Sequence, residues 1–476
     1  MNVSASGLWM GILVLGACAW SCGGGSGTLK ETTFEQNSFL LPGLPSFQLQ
    51  MMPRSTDEMT GIDLSINIPN SSMVFGRSPR GFTAIISIDV MVFDEGEDND
   101  IRVDQSWIDT VVAATYDQTQ MLDTRSIERY IPVLPGNYVV HVALEDLNTG
   151  KRTVRRHPVS IPAVLSETPT TGAIQVSIRQ RDNYYTPFLG MHLPLPQDSV
   201  RCSFRLYNIA SADSVTVRIV VLKFPSDTSV ASHPFAFSST RGSMEYSAIA
   251  DSPIDTITTI ALTLHAPQYG EDVKCFIAIS ETGVYSIVGI ARVAGDSLLR
   301  NHQLPEVRRT LAVMDRGFPR PSTLDEVIGP LVYIARKSEL DTLRGAATSD
   351  EKHRRFDSFW LSLGGSHQAS ANLIKQYYTR VEEANLYFSS FKEGWQTDRG
   401  MVYVILGPPL SVQSGLNAEV WRYSSSEQDI LNTYTFQRVP LSVEGWPFDH
   451  FVLDRQAYYD QPWSYAVDRW RRGVGF

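Results

Sequence analysis

Apolar and polar residues alternate in short runs over the first two thirds of the chain, then change to a helical spacing. Ile62-Asp63-Leu64-Ser65-Ile66-Asn67-Ile68 repeats with period two, which turns one face of a strand to a core and the other to water. Ala84–Phe93 reads as another strand, and Asn137–Leu144 follows Leu134-Pro135-Gly136 and runs into a turn at 146–151. Strands of this length, separated by Gly, Pro and Asn turns, predict an Ig-like β-sandwich over residues 46–165. A Ser/Thr/Pro-rich break at 166–172 marks a boundary. Beyond it, strand-like runs from Ala173–Ile178 to Tyr285–Val293 predict a second β-sandwich over 173–300.

From residue 305 the period is helical. Thr323-Leu324-Asp325-Glu326 offers a capping box ahead of a helix over Val327–Lys337. A second helix starts at Thr348-Ser349-Asp350-Glu351 and carries Phe356, Phe359 and Trp360. The longest, Ala371–Phe391, sets Leu373, Tyr377, Val381, Ala384, Tyr387 and Phe388 on one side. Asp398-Arg399-Gly400 then reads as a tight turn, and the apolar run 401–406 as a strand buried on both faces, ended by Gly407-Pro408-Pro409. Strands at Val420–Tyr423 and Thr433–Arg438 follow. The chain is therefore expected to be multidomain, mostly β and then α+β, with the α+β domain over 305–476.

Six of the nine tryptophans fall after residue 355, so the core or a docking surface of the last domain is unusually aromatic. The densest cluster of specialised residues is Glu393-Gly394-Trp395-Gln396-Thr397-Asp398-Arg399-Gly400. Gly394, Trp395, Thr397 and Asp398 meet the five-letter signature of the GWxTD-domain family, which this part of the chain resembles. Phe359-Trp360, the helix with Tyr377–Asn385, Gly407-Pro408-Pro409 and Glu419-Val420-Trp421-Arg422-Tyr423 match the same family, over about residues 320–455. The resemblance implies an envelope protein of a Bacteroidota-type bacterium.

The ends and the composition narrow the setting. Leu8–Ala17 is an apolar stretch of signal-peptide length, shorter than the ~20 residues that span a bilayer. It leads to two cysteines, so residues 1–22 read as a lipoprotein-type signal. Cys22 is the preferred acylation site because the Gly/Ser tether 23–27 follows it. Cys18, which has the better residue three places before it, is the alternative, and a simple cleaved secretory peptide is a third. Residues 23–45 then form a tether and lead-in. Cys202 and Cys275 lie in strand-like runs in a disulfide-permissive compartment, as a bridge or as two buried thiols; both readings stand. A net charge of −10 without a long Lys/Arg run argues against nucleic acid as a partner.

Phosphate-loop, zincin and nucleophile-elbow patterns are absent, so no catalytic residue, metal site or cofactor is expected. Gly364-Gly365-Ser366-His367 reads as a loop between helices, Asp449-His450 as an isolated pair, and Asp94–Asp100 as an acidic hairpin tip. Two readings of the signature stand. In one, Trp395 plugs a core, Thr397 and Asp398 bond backbone amides, and Arg399 pairs with an acid. In the other, Trp395, Asp398, Arg399 and Arg422 line a groove for a partner segment or glycan. The expectation is a non-enzymatic lipoprotein anchored to the outer membrane, on its periplasmic face in preference to the cell surface. It would be an accessory or scaffold subunit of a β-barrel machine for protein assembly, secretion or uptake. The alternative is a carbohydrate- or peptidoglycan-binding lipoprotein that uses the aromatic C-terminal domain.

Overall fold

Period-two patterning produces the two expected β modules. The computed structural model describes residues 35–36 and 45–475, except 56–58, 96–99, 120–123, 162–168, 180–182, 189, 196, 211, 225–226, 237–254, 266, 268–269, 296–301, 415–416, 427 and 440–447. Cys18, Cys22 and the tether lie outside the described residues, as does the centre of the acidic 94–100 loop.

In the first module, Gln48–Ser55, Thr60–Pro69 and Thr124–Pro132 form a three-stranded antiparallel sheet with Thr60–Pro69 at its centre. It faces a sheet ordered Ile101–Ala113, Gly81–Asp94, Gly136–Asp146, Lys151–Ile161. Ile62, Leu64, Ile66 and Ile68 point inward from the first sheet and meet Ile86, Ile88, Val90, Val140 and Val142 from the second. That leaves Asp63, Ser65 and Asn67 on the outward face.

The second module pairs a sheet built on Gln197–Tyr207 with one built on Ala212–Phe224 and Gly283–Gly295. It extends past the expected boundary at 300. Val307–Met314 pairs along Gly283–Gly289 and receives His192–Pro194 as a parallel neighbour. Cys202 and Cys275 stand directly opposite each other on adjacent strands, both buried and both as free thiols.

The last domain stacks helices on a five-stranded antiparallel sheet, Ser411–Ser414, Ala418–Arg422, Thr433–Val439 and His450–Leu453, with Glu35–Gln36 as the outer strand. The lead-in thus contributes a strand to a sheet almost 380 positions downstream: Glu35 pairs with Ser414. The long helix runs His367–Phe388 behind an N-cap at Ser366, and Ser349–Gly364 is capped by Thr348 and closed by Gly365 at φ 70°. The helix expected over Val327–Lys337 is shorter. Leu324–Ile328 is capped by Thr323, and Gly329-Pro330 converts the chain to a 3-10 turn through Tyr333.

The largest departure from expectation is at 398–406. The predicted turn and strand are one α-helix, Asp398–Leu406. Thr397 caps it by accepting a hydrogen bond from Gly400 N, and Asp398 sits in the first turn, where the helix dipole favours a carboxylate. Its residues from Asp398 to Ile405 are all buried, so no face is marked by polar residues and a short apolar run reads equally as strand or helix.

Gly407 ends this helix at φ 84° and ψ −164°, a region that only glycine occupies without strain. Its missing side chain also leaves room for the Arg380 guanidinium, which would lie 2.7 Å from a β-carbon there. Gly407→Ala is expected to lower the free energy of unfolding by ~1–3 kcal/mol, measured by urea denaturation with the slope unchanged.

Candidate functional site

The signature begins where the long helix stops. Ser389 Oγ donates to Asn385 O at 2.7 Å and accepts from Gly394 N at 2.8 Å, and Asn385 Oδ1 accepts from Trp395 N at 3.1 Å. These bonds fold residues 394–396 into a 3-10 turn against the helix end. The approach is so close that a β-carbon on Gly394 would lie 1.8 Å from Ala384 O, and one on Gly400 would lie 1.8 Å from Gly394 O. Both atoms met are backbone, so no side-chain adjustment relieves the contact.

Trp395 is buried, with its ring over Gly329 and edge-on to Tyr333. Its Nε1 donates to the Glu393 carboxylate, and Tyr333 donates to Trp395 O at 2.7 Å. Burial raises the pKa of Glu393 despite that bond, and burial together with the nearby Asp398 charge holds Tyr333 well above the ordinary tyrosine range. Thr397 donates to Gly394 O at 2.7 Å while capping the next helix.

Asp398 and Arg399 point from the first turn of that helix to different partners. Asp398 accepts from Leu453 N at 2.7 Å and receives a two-pronged bond from Arg455, at 2.5 and 3.0 Å. Arg399 is 3.3 Å from both Glu419 oxygens and lies over the Phe451 ring at 4.1 Å. Glu419 also accepts from the buried Trp421 Nε1 at 3.2 Å. Arg422, next along the strand, turns to the opposite face of the sheet, and its Nε has no hydrogen-bond partner among the described residues. Trp395, Asp398, Arg399, Thr397 and Trp421 thus meet within the core rather than along an open groove.

Residues from the second module, which the local pattern did not mark, complete the site. The segment 227–235 leaves that module and lies along the signature. Ala231 N donates to Gln396 O at 3.0 Å, Arg455 reaches Ser232 O at 3.1 Å, and Gln456 N donates to Pro234 O at 3.2 Å. Lys392 Nζ is buried between Asp227 at 3.0 Å and Ser229 O at 3.1 Å. Burial works against the Asp227 carboxylate, but the Lys392 ammonium and the Ser229 donors outweigh it, so its pKa is lowered. His192 Nε2 bonds Ser390 O at 2.9 Å, and from the first module Ser46 Oγ meets Tyr387 OH at 2.9 Å. Residues 386–400 are therefore held by all three modules.

His450, the imidazole of the Asp449-His450 pair, is buried against Phe391, and burial with the Lys392 and Arg399 charges lowers its pKa to about 3. No group of three or more metal-ligating side chains gathers among the described residues. The aromatic tail expected to offer a sugar platform is mostly interior. Among its described residues Trp463, Trp470, Tyr459, Phe448 and Phe451 are buried and Tyr458 and Tyr465 are exposed, while Trp446 lies outside them.

The buried pairs make two outcomes measurable. Asp398→Ala leaves Arg455 and Leu453 N without their acceptor, and is expected to cost ~3–5 kcal/mol in chemical denaturation, with Asp398→Ala/Arg455→Met recovering part of the loss. For Asp227, whose folded pKa is depressed, the stabilisation is present above the unfolded value of about 3.9 and is lost as pH falls through the lower folded pKa. Asp227→Asn should remove that part of the acid sensitivity, as read from melting temperatures between pH 7 and pH 3.

Residues 297–472 match the GWxTD domain family. No curated protein matches the chain. Among solved structures, red sea bream transglutaminase is similar at 11% identity over 56% of this chain and 31% of that one, with a TM-score of 0.18, too slight a likeness to carry a fold or an activity across.

Proposed function

We propose that this chain, a GWxTD-domain protein, is a non-enzymatic scaffold subunit that holds an outer-membrane β-barrel machine together from the periplasmic side. One observation carries the reading. Both sandwiches bond the stretch that leads into the signature, Ser46 to Tyr387, His192 to Ser390 and Asp227 to Lys392, and Ala231 N donates to Gln396 O, so the signature sits at the junction of the three modules. A signature used this way makes three modules behave as one stiff body, which suits a spacer between a membrane anchor and a partner. The anchor is the lipoprotein-type cysteine, Cys22 or Cys18. The partner surface belongs to the outward faces of the modules, and a stable contact there should bury more than ~1,000 Å².

The test is affinity purification of the tagged full chain from its own membranes in mild detergent, with partners identified by mass spectrometry. A stoichiometric outer-membrane barrel protein that survives high salt is the expected outcome. Recovery of the chain alone sinks the scaffold reading. Radiolabelled fatty acid incorporated into wild type and lost in Cys22→Ala would identify the anchor; loss only in Cys18→Ala would move it.

A further inference from the structure

A cleft opens where the three modules meet. Its floor is the outward face of the three-stranded sheet of the first module, and Pro187, Phe188, Gly190, His192 and residues 317–320 wall it. The main lobe is about 560 Å³, and a side lobe of about 220 Å³ shares Glu128, Pro187 and Phe188 with it. Strand register sets two rungs of polar side chains across the floor: Gln48, Asn67 and Ser126 in one, Gln50, Ser65 and Glu128 in the next. Neighbours within a rung are ~4.8 Å apart and the rungs ~7 Å apart.

These side chains are largely unspent. Gln48 donates to Leu386 O, whereas Gln50, Ser65, Asn67, Ser126 and Glu128 make no side-chain hydrogen bond among the described residues. Ser65 lies at the floor, where its hydroxyl stays open to the cleft and unbonded to protein. Several polar side chains that converge unbonded on one cavity are what a ligand site presents.

The lining also says what kind of molecule fits. Arg54 is neutralised by Asp63 at 2.6 Å and Arg320 by Glu382 at 3.3 Å, Arg129 is turned over the Trp107 ring, and the Glu128 carboxylate faces the cleft, so an anion gains little here. An apolar ligand would dry the amides without replacing their bonds. An extended peptide is best met at a sheet edge, where backbone N–H and C=O are open, whereas this cleft presents a sheet face. Amide and hydroxyl side chains both donate and accept, as sugar hydroxyls do, and a free carboxylate accepts from two of them.

We propose that this cleft binds a neutral, hydroxyl-rich oligosaccharide. Gln50, Ser65, Asn67 and Glu128 bond its hydroxyls, and the half-buried Phe188 ring packs against a sugar face. The site lies apart from the aromatic tail and does not depend on the scaffold role, so loss of a barrel partner leaves it standing.

The test is isothermal titration calorimetry of the full chain with four linear hexasaccharides, built from glucose, xylose, mannose and N-acetylglucosamine, and with a Gly-Ser decapeptide. At least one hexasaccharide is expected to bind saturably. Asn67→Ala and Glu128→Gln should each weaken it roughly tenfold or more, and Ser126→Trp, which fills the open lobe, should abolish binding. All three positions face solvent or the cleft, so melting temperatures should stay within roughly 2 °C of wild type. Failure of all four sugars to bind at millimolar concentration overturns the proposal. So does binding that the variants leave unchanged, or capture of the decapeptide in place of sugar.

Discussion

The rest of this structure depends on two places where backbone meets backbone without room for a side chain. Gly394 lies against Ala384 O of the long helix, and Gly400 lies against Gly394 O. Because glycine allows that approach, the end of the long helix, the 3-10 turn and the start of the next helix pack as one knot. Asp398 and Arg399 then leave the knot on fixed bearings. One reaches the tail at Leu453 and Arg455, the other the sheet at Glu419. A glycine substitution would therefore shift the ion pairs as well as the turn.

Those ion pairs have an asymmetric effect. A buried pair gains little over a well-packed apolar replacement, because desolvation offsets most of the attraction, but a half-broken pair is costly. Asp398–Arg455 and Arg399–Glu419 tie the signature helix to the tail and sheet of its own domain, and Lys392–Asp227 ties that domain to the second module. An arrangement that docks the second module wrongly leaves Lys392 buried without its partner, and one that misplaces the signature helix does the same to Asp398 or Arg399. The pairs thus act mainly on which arrangement forms, while the aromatic and aliphatic core around Trp360, Tyr377, Phe388 and Trp421 supplies the stabilisation.

The same knot frames the polar cleft. Gln48 reaches Leu386 O and His192 reaches Ser390 O, which sets the outward face of the first module and the wall that carries His192 against the end of the long helix. The signature bears on the cleft through these contacts without lining it. An internal motif and an external surface are in this way parts of one construction.

The alternating runs around Ile62–Ile68 and Asn137–Leu144, the caps at Thr323 and Thr348, and the stripe Leu373–Phe388 were legible in the sequence. Each records locally which side of an element meets a core. The Gly394–Gly400 signature was legible as a place of unusual demand for the same reason, since glycine, a capping threonine and a buried indole answer local backbone needs. The helix at 398–406 was not, because burial on every side erases the period that separates helix from strand. Nor was the pairing of Glu35 with Ser414, the reach of 227–235 onto the signature, or the burial of the aromatic tail. The sequence by itself determined the two β modules, the α+β domain and the family signature. Only the tertiary structure decided that the signature faces inward and that a cleft lies between the modules. Local pattern says that a face must be covered, and packing among distant segments decides what covers it.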